Sequence, residues 1–171
     1  MEDFGTQAVP VIPRLRRYAR ALTGDRLMAD DLVQDTLERA WMKRHLWREG
    51  SDLRAWMFTI MHNVYVNQVR ARIADATIPL DTEAFNVPAR GSPVELLEVA
   101  DLDAALWRLP DEQREVLLLV ALEQLSYSEA AGALGIPVGT VMSRLFRARE
   151  RLRVLLGGAP AAATGVLKVI K

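Results

Sequence analysis

Apolar residues recur at intervals of three and four along both halves of the chain, a spacing that places them on one face of an α-helix. Three such faces lie in the first half, from Ile12 to Leu22, from Leu32 to Trp41 and from Leu53 to Val69. No run of alternating β-branched residues, which would indicate a strand, interrupts either half. The sequence therefore predicts an all-α fold.

Local signals mark the ends of the helices in the first half. Gly24 follows the first apolar face, and glycine readily ends a helix by taking a left-handed conformation. Ser51 or Asp52 precedes the third face and can cap its free backbone amides. Together with the three apolar faces, these signals predict a domain built mainly of three helices over residues 10–73.

Residues 74–99 differ from the sequence on either side. Pro79, Pro88 and Pro93 fall there together with five acidic residues, and no helical period survives. We expect a flexible linker between two small helical domains. The second domain is predicted over residues 100–156, and residues 157–171 are expected to form a loose C-terminal tail.

The second half predicts a helix-turn-helix. Ser126 and Glu129 have the spacing of a capping box that begins a helix, and Gly135 with Pro137 ends it. The last helix is expected to begin near Val138 and carries five arginines (Arg144, Arg147, Arg149, Arg151 and Arg153) against one acid. Because arginines on one side of a helix in the major groove match guanine edges and phosphates, this pattern favours DNA contact over a solvated basic face.

Composition narrows the function further. The 171 residues include no cysteine, which excludes disulfides and thiolate metal sites and fits a cytoplasmic protein. The longest apolar run, Val116 to Leu122, is too short for a membrane-spanning helix, and no secretory signal opens the chain. His45 and His62 lack metal-site spacing, and no nucleophile elbow or phosphate-binding loop occurs. We expect a protein that is not an enzyme, holds no cofactor or metal, and does not insert into membranes.

Several segments resemble the extracytoplasmic-function (ECF) sigma factors of the sigma-70 family. Residues 109–116 (LPDEQREV), 125–131 (LSYSEAA) and 139–149 (GTVMSRLFRAR) resemble region 4, and residues 29–41 (ADDLVQDTLERAW) resemble region 2.2. Residues 52–60 (DLRAWMFTI) with Asn63 resemble region 2.3 running into 2.4. The resemblance spans about residues 10–156 and implies a protein that binds core RNA polymerase and directs promoter-specific initiation of transcription.

The family resemblance implies a docking surface on the second helix. Region 2.2 of the family binds the clamp helices of the polymerase β′ subunit, and the corresponding polar residues here are Asp31, Gln34, Asp35 and Glu38. The three acids recur at helical spacing and therefore share one face. Trp41 is expected in the core instead.

The resemblance also implies two DNA-binding sites. Regions 2.3 and 2.4 capture the unpaired strand of the minus-10 element, a role that Asn63, Asn67, Arg70 and Arg72 fit. Trp56 is expected in the core, and Tyr65 is left open between core packing and base stacking. The residues that match minus-35 readers are Ser143, Arg144, Phe146, Arg147 and Arg149. Many relatives carry Lys or Arg where this chain has Met142, so a phosphate contact is expected to be missing there.

The implied partners are the polymerase core, through its β′ clamp helices and β flap, promoter DNA, and an anti-sigma factor that holds the protein inactive until a signal. An alternative from another class is a dimeric helix-turn-helix repressor or activator that binds a palindromic operator without polymerase. A helical protein-interaction module with no DNA role is a third possibility, but it would leave the arginine face unused.

Overall fold

The computed structural model describes residues 3–75 and 101–157, and every regular element in these two ranges is helical. We call residues 3–75 the N-terminal domain; its helices are α1 (Phe4–Ala8), α2 (Ile12–Thr23), α3 (Arg26–Met42) and α4 (Leu53–Ala74). We call residues 101–157 the C-terminal domain; its helices are α5 (residues 101–107), α6 (Asp111–Leu117), α7 (Tyr127–Leu134) and α8 (Val138–Leu155). The all-α prediction is confirmed. The predicted linker from residue 76 onward and the predicted tail beyond residue 157 lie outside the described residues.

The N-terminal domain is held together by α2, α3 and α4, which pack side by side around an apolar core. Leu15, Leu22, Leu32 and Met61 are fully buried in it, and Phe58 meets Tyr18 edge to face with ring centroids 5.1 Å apart. Burying apolar side chains of this size is the main stabilising contribution to such a domain.

The predicted helix ends of this domain are confirmed. Gly24 ends α2 with φ 63°, a left-handed conformation that favours glycine, and its N–H donates to the Arg20 carbonyl. The Asp52 carboxylate caps α4 by accepting the N–H groups of Arg54 and Ala55 at 2.9 and 3.2 Å.

Two features of the N-terminal domain differ from the sequence predictions. Helix α1 and a 3-10 turn (Val9–Val11) precede α2, where the periodicity predicted no element. Trp41, expected in the core, is 50% exposed, so that prediction is wrong. Trp41 lies one residue before the end of α3, where its indole contacts Phe4 of α1 and the Arg44 guanidinium instead of the core. Trp56 is half-buried against the core edge and Tyr65 is buried.

In the C-terminal domain the capping box is confirmed. The Glu129 N–H donates to Ser126 Oγ at 3.1 Å, and the Ser126 N–H donates to Glu129 Oε2 at 2.7 Å. Gly135 ends α7 in the left-handed conformation, with φ 65°. The apolar run Val116 to Leu122 spans the end of α6 and a π-helical turn (Leu118–Leu122), after which the Glu123 N–H donates to the Leu118 carbonyl.

The two domains are in contact. Their buried apolar residues form one continuous cluster, with α4 packed on α7 and α2 packed on the π turn. At one edge of this contact the Trp107 indole lies against Gly24, where a Cβ atom would come within 1.9 Å of the ring. Only glycine at position 24 permits this approach, so Trp107 packs directly on the turn between α2 and α3.

Candidate nucleic-acid and docking surfaces

Helix α8 is positioned by its inward face. Val141, Leu145 and Ala148 are buried against α6 and α7, while the capping box and Gly135 fix where α7 begins and ends. Because residues three and four apart share a side of a helix, burying this stripe turns the intervening residues outward.

The outward side of α8 carries the residues predicted to read a minus-35 element. Ser143, Phe146, Arg147 and Arg149 are exposed, and Phe146 is 66% exposed. Ser143 Oγ donates to the Thr140 carbonyl at 3.1 Å. Within the described ranges no acidic group pairs with Arg147 or Arg149, so their guanidinium donors are free for an external partner.

Arg144 differs from its neighbours on α8. Its guanidinium pairs with Glu112 of α6 at 3.2 Å, and its side chain is one-quarter exposed. Glu112 is largely exposed, so the pair is weak and can exchange for a phosphate. Met142, the departure from the family pattern, is a half-exposed apolar side chain.

The residues predicted to bind a minus-10 strand lie on α4, and three of the four share a face. Asn63, Asn67 and Arg70 follow at intervals of four and three and are all exposed. Arg72 is exposed as well, but nine residues after Asn63 correspond to two and a half turns, which places it on the opposite side of the helix. The structure therefore brings together two amides and one cation, with Arg72 apart from them.

Tyr65 is turned inward, away from the polar face of α4. Burial raises its pKa above the usual value, and the charge of Asp111 adds to that shift. With the two domains in contact the ring is buried beside charged groups of the C-terminal domain, so the structure places Tyr65 in the core in this arrangement.

The predicted docking residues lie on α3. Asp31, Gln34 and Glu38 are exposed, while Asp35 is half-buried. Asp35 Oδ2 accepts a hydrogen bond from Gln68 Nε2 of α4 at 2.8 Å. Asp35 thus links α3 to α4, whereas the other three face outward.

Sequence patterns did not reveal the charged contacts between the domains. Glu123 Oε1 accepts hydrogen bonds from Arg17 Nε at 3.1 Å and Arg17 Nη2 at 2.9 Å. The Glu123 carbonyl accepts from Arg54 Nη1 at 3.3 Å, and His62 Nδ1 lies 2.9 Å from Glu115 Oε1. The one available signal was an acid directly after the longest apolar run, which indicates a buried carboxylate without naming its partner.

The first turn of α4 adds a second electrostatic feature. Burial acts to raise the pKa of Asp52, but the Ala55 N–H and the Arg54 guanidinium outweigh it, so the pKa is lowered. Asp52 therefore remains an anion that caps α4 and orients Arg54.

Neither a metal centre nor a membrane span is found in the part of the chain that the structure describes. Among residues 3–75 and 101–157 no three metal-ligating side chains cluster. In the same ranges no helix is both long and apolar enough to cross a bilayer.

Comparisons with known proteins match both halves of the chain to one family. The model for the Sigma2 domain of PhyR matches residues 9–62, and the model for region 4 of sigma-70 matches residues 100–152. The ECF RNA polymerase sigma factor EcfG of Rhodopseudomonas palustris (strain TIE-1) is 39% identical over 145 residues, covering 85% of this chain and 80% of that protein. SigM of Bacillus subtilis (strain 168), another ECF sigma factor, is 34% identical over 145 residues, covering 81% and 86%.

A solved structure is similar over nearly the whole chain. The sigma factor RpoE, in complex with the anti-sigma factor NepR from Bartonella quintana, superposes with a TM-score of 0.81 at 37% identity. The match covers 92% of this chain and 98% of that one, so it includes both domains.

Proposed function

Because the chain belongs to the ECF RNA polymerase sigma factors, we propose that its two domains divide the work of promoter recognition between them. The N-terminal domain, within residues 10–73, binds the polymerase core and the minus-10 element. The C-terminal domain, within residues 100–156, binds the minus-35 element. Residues 74–99 join the two, and the reaction itself is carried out by the polymerase.

The outward face of α8 carries this proposal. Arg147 and Arg149 are exposed beside Ser143 and Phe146 on a helix whose other side is buried, and they have no acidic partner in the described residues. A guanidinium fork matches a guanine edge or a phosphate. Arg144 joins them when its pair with Glu112 exchanges for DNA.

The second site uses different chemistry, which suits an unpaired strand. Asn63 and Asn67 offer amide donors and acceptors for base edges, and Arg70 offers a cation for phosphate. Arg72, on the opposite side of α4, fits the backbone of the strand better than its bases.

The acidic face of α3 supports docking on the polymerase. Asp31, Gln34 and Glu38 point outward and present carboxylates and an amide to basic clamp helices, and Asp35 contributes from a half-buried position. Complementary charge of this kind steers association and fixes orientation. The cytoplasm, where polymerase works, is the proposed location.

An anti-sigma factor is the proposed regulator of this chain. The proposal is supported by RpoE, a relative whose solved structure contains the anti-sigma factor NepR.

In vitro transcription with purified core polymerase tests the proposed function. Promoters altered singly at each element are compared, using the wild-type chain, Arg147→Ala and Asn67→Ala. We expect Arg147→Ala to lose about 1–3 kcal/mol of discrimination at one minus-35 position, and Asn67→Ala to weaken use of the minus-10 element only. Each variant is the control for the other.

One pattern of results would contradict the proposal. Tight binding of a palindromic duplex by a dimer of the free chain, with no specific initiation on any promoter, would leave the repressor as the better description.

A further inference from the structure

We propose that the chain holds its own domains closed, without any partner, by a latch of four residues: Arg17 and Gly24 from the N-terminal domain, and Trp107 and Glu123 from the C-terminal domain. The closed arrangement is inactive for initiation. This inference rests on the proposed function, since inactivity here means failure to engage two promoter elements at once.

Glu123 is the centre of the latch. It has no solvent exposure, and its charge partner Arg17 comes from the other domain at 2.9 Å. The π turn before it and the left-handed Gln124 after it, with φ 57°, aim the carboxylate at α2. Both conformations are unfavourable in isolation and persist where the surroundings hold them. The local backbone is thus shaped to reach the neighbouring domain.

Trp107 and Gly24 form the second half of the latch. The indole of Trp107 occupies the space that a side chain at position 24 would need. The Arg114 guanidinium stacks on the same indole, 4.4 Å from its centroid, and so fixes the ring in place. A contact this close between domains needs both the glycine and the ordered tryptophan.

The chemistry of the contact suits opening as well as closing. Glu123 Oε2, Arg114 Nε and the Tyr18 hydroxyl are buried without a hydrogen-bond partner in the described part of the chain. Buried polar groups left unpaired oppose burial, and water satisfies them once the domains part. In a purely apolar contact of the same size no polar group would gain hydrogen bonds to water on opening. The gain at these three groups lowers the cost of opening, so this contact can serve as a reversible latch.

Geometry makes the closed arrangement incompatible with promoter recognition. Arg70 of the minus-10 face and Arg144 of the minus-35 face line the same cleft between the domains. The minus-35 and minus-10 elements are separate segments of the promoter, so each domain has to reach its own segment. Domains that share one cleft cannot reach both elements, so the latch must open for initiation.

Distance measurements on the free full-length chain test closure directly. Because the chain has no cysteine, spin labels at Leu27→Cys and Val154→Cys, both exposed, report one distance between the domains. We expect one narrow, short distance in an otherwise wild-type chain. A broad distribution of long distances there would overturn the proposal.

Two variants open the latch, and each has a matched control. Arg17→Met leaves Glu123 without its charge partner, while Arg16→Met removes a neighbouring exposed arginine of the same helix. Gly24→Ala places a Cβ in the Trp107 ring, while Gly50→Ala carries the same left-handed backbone penalty with nothing within 4 Å. We expect Arg17→Met and Gly24→Ala to raise the separated population about tenfold or more, and the controls to leave it unchanged. Equal distributions in variants and controls would contradict the latch.

Locking the domains tests whether closure is inhibitory. His62→Cys with Glu115→Cys, joined by a short cleavable thiol cross-linker, ties the domains at a contact outside the latch. We expect initiation with core polymerase to be lost when cross-linked and to return on cleavage. Equal initiation in both states would overturn the inhibitory role. If cleaved and wild-type chains both fail to initiate while the distances behave as expected, the closed contact is upheld and the promoter function is contradicted instead.

Discussion

Helices α8 and α4 both carry polar side chains that we propose contact nucleic acid, but the side chains beside them make different contacts within the protein. On α8, Phe146, Arg147 and Arg149 face outward and make no ion pair in the described residues. On α4, Gln68 is bonded to Asp35 of α3 and His62 to Glu115 of the C-terminal domain. Substitutions of these three residues on α8 should therefore affect DNA binding with little effect on packing, whereas those on α4 must be separated from packing within the domain and between domains.

The largest expected effect contrasts an aromatic residue on each helix. Phe58 of α4 is buried against Tyr18, so Phe58→Ala should lower the free energy of unfolding by about 3–5 kcal/mol. Phe146 of α8 is mostly exposed, so Phe146→Ala should change it by less than about 0.5 kcal/mol. Urea unfolding followed by circular dichroism measures both. A large decrease of the free energy of unfolding in Phe146→Ala would mean that this ring packs against the protein and is not free to contact DNA.

The next contrast lies on α3, where two acids of the proposed docking face differ in their contacts. Asp31→Arg should weaken polymerase binding about tenfold with unchanged stability, because Asp31 only faces outward. Asp35→Arg should weaken binding as well. It should also lower the free energy of unfolding by about 1–2 kcal/mol, because the hydrogen bond from Gln68 of α4 is lost. Binding is measured by native gel shift with core enzyme and stability by urea unfolding.

Glu38→Arg provides the matched check, since Glu38 is exposed like Asp31. Unchanged affinity in both Asp31→Arg and Glu38→Arg would argue against docking through this face.

Elements governed by neighbours in the chain were predictable. The Ser126 and Glu129 capping box and the helix end at Gly24 depend on residues within a few positions and were predicted from them. The cap of α4 was predicted as Ser51 or Asp52 for the same reason, and the structure has Asp52. The inward stripe of α8 follows from helical periodicity for the same reason.

Features set by distant residues were not predictable. Trp41 was expected in the core because periodicity does not show where the neighbouring helices stop covering α3. The attachment of Asp35 to Gln68 crosses 33 positions, and that of Arg17 to Glu123 crosses 106. Helix α1 has only five residues, too few for a helical period to show in the sequence, so it was missed.

A smaller effect is expected from the cap that begins α7. Ser126→Ala removes the acceptor for the Glu129 N–H and should lower the free energy of unfolding by about 1 kcal/mol. Ser143→Ala on exposed α8 is the control, because its hydroxyl only donates to the Thr140 carbonyl within the same helix turn. Thermal unfolding of both variants measures the difference, and equal melting temperatures would show that the capping box does not support the helix-turn-helix.

The smallest effect concerns Tyr18, which packs on Phe58 of α4 and whose hydroxyl is buried without a partner in the described residues. Tyr18→Phe keeps the ring and removes that hydroxyl, so it should raise the free energy of unfolding by up to about 1 kcal/mol at neutral pH. Burial raises the pKa of Tyr18 well above its usual value, and the charge of Glu115 adds to the shift.

The raised pKa gives the same variant a pH signature. In the unfolded chain Tyr18 ionises near pH 10, so the stability it contributes is fully present below that pH and is lost as pH rises toward its folded pKa. Above pH 10 the wild-type protein should therefore lose more stability than Tyr18→Phe. Tyr18→Phe should still lose some stability there, in part because burial also raises the pKa of Tyr65. Urea midpoints at pH 8 and pH 10.5 measure this. Equal decreases of the urea midpoint in the two proteins between pH 8 and pH 10.5 would mean that Tyr18 is accessible to solvent. The contact between α2 and α4 would then be looser than the structure shows.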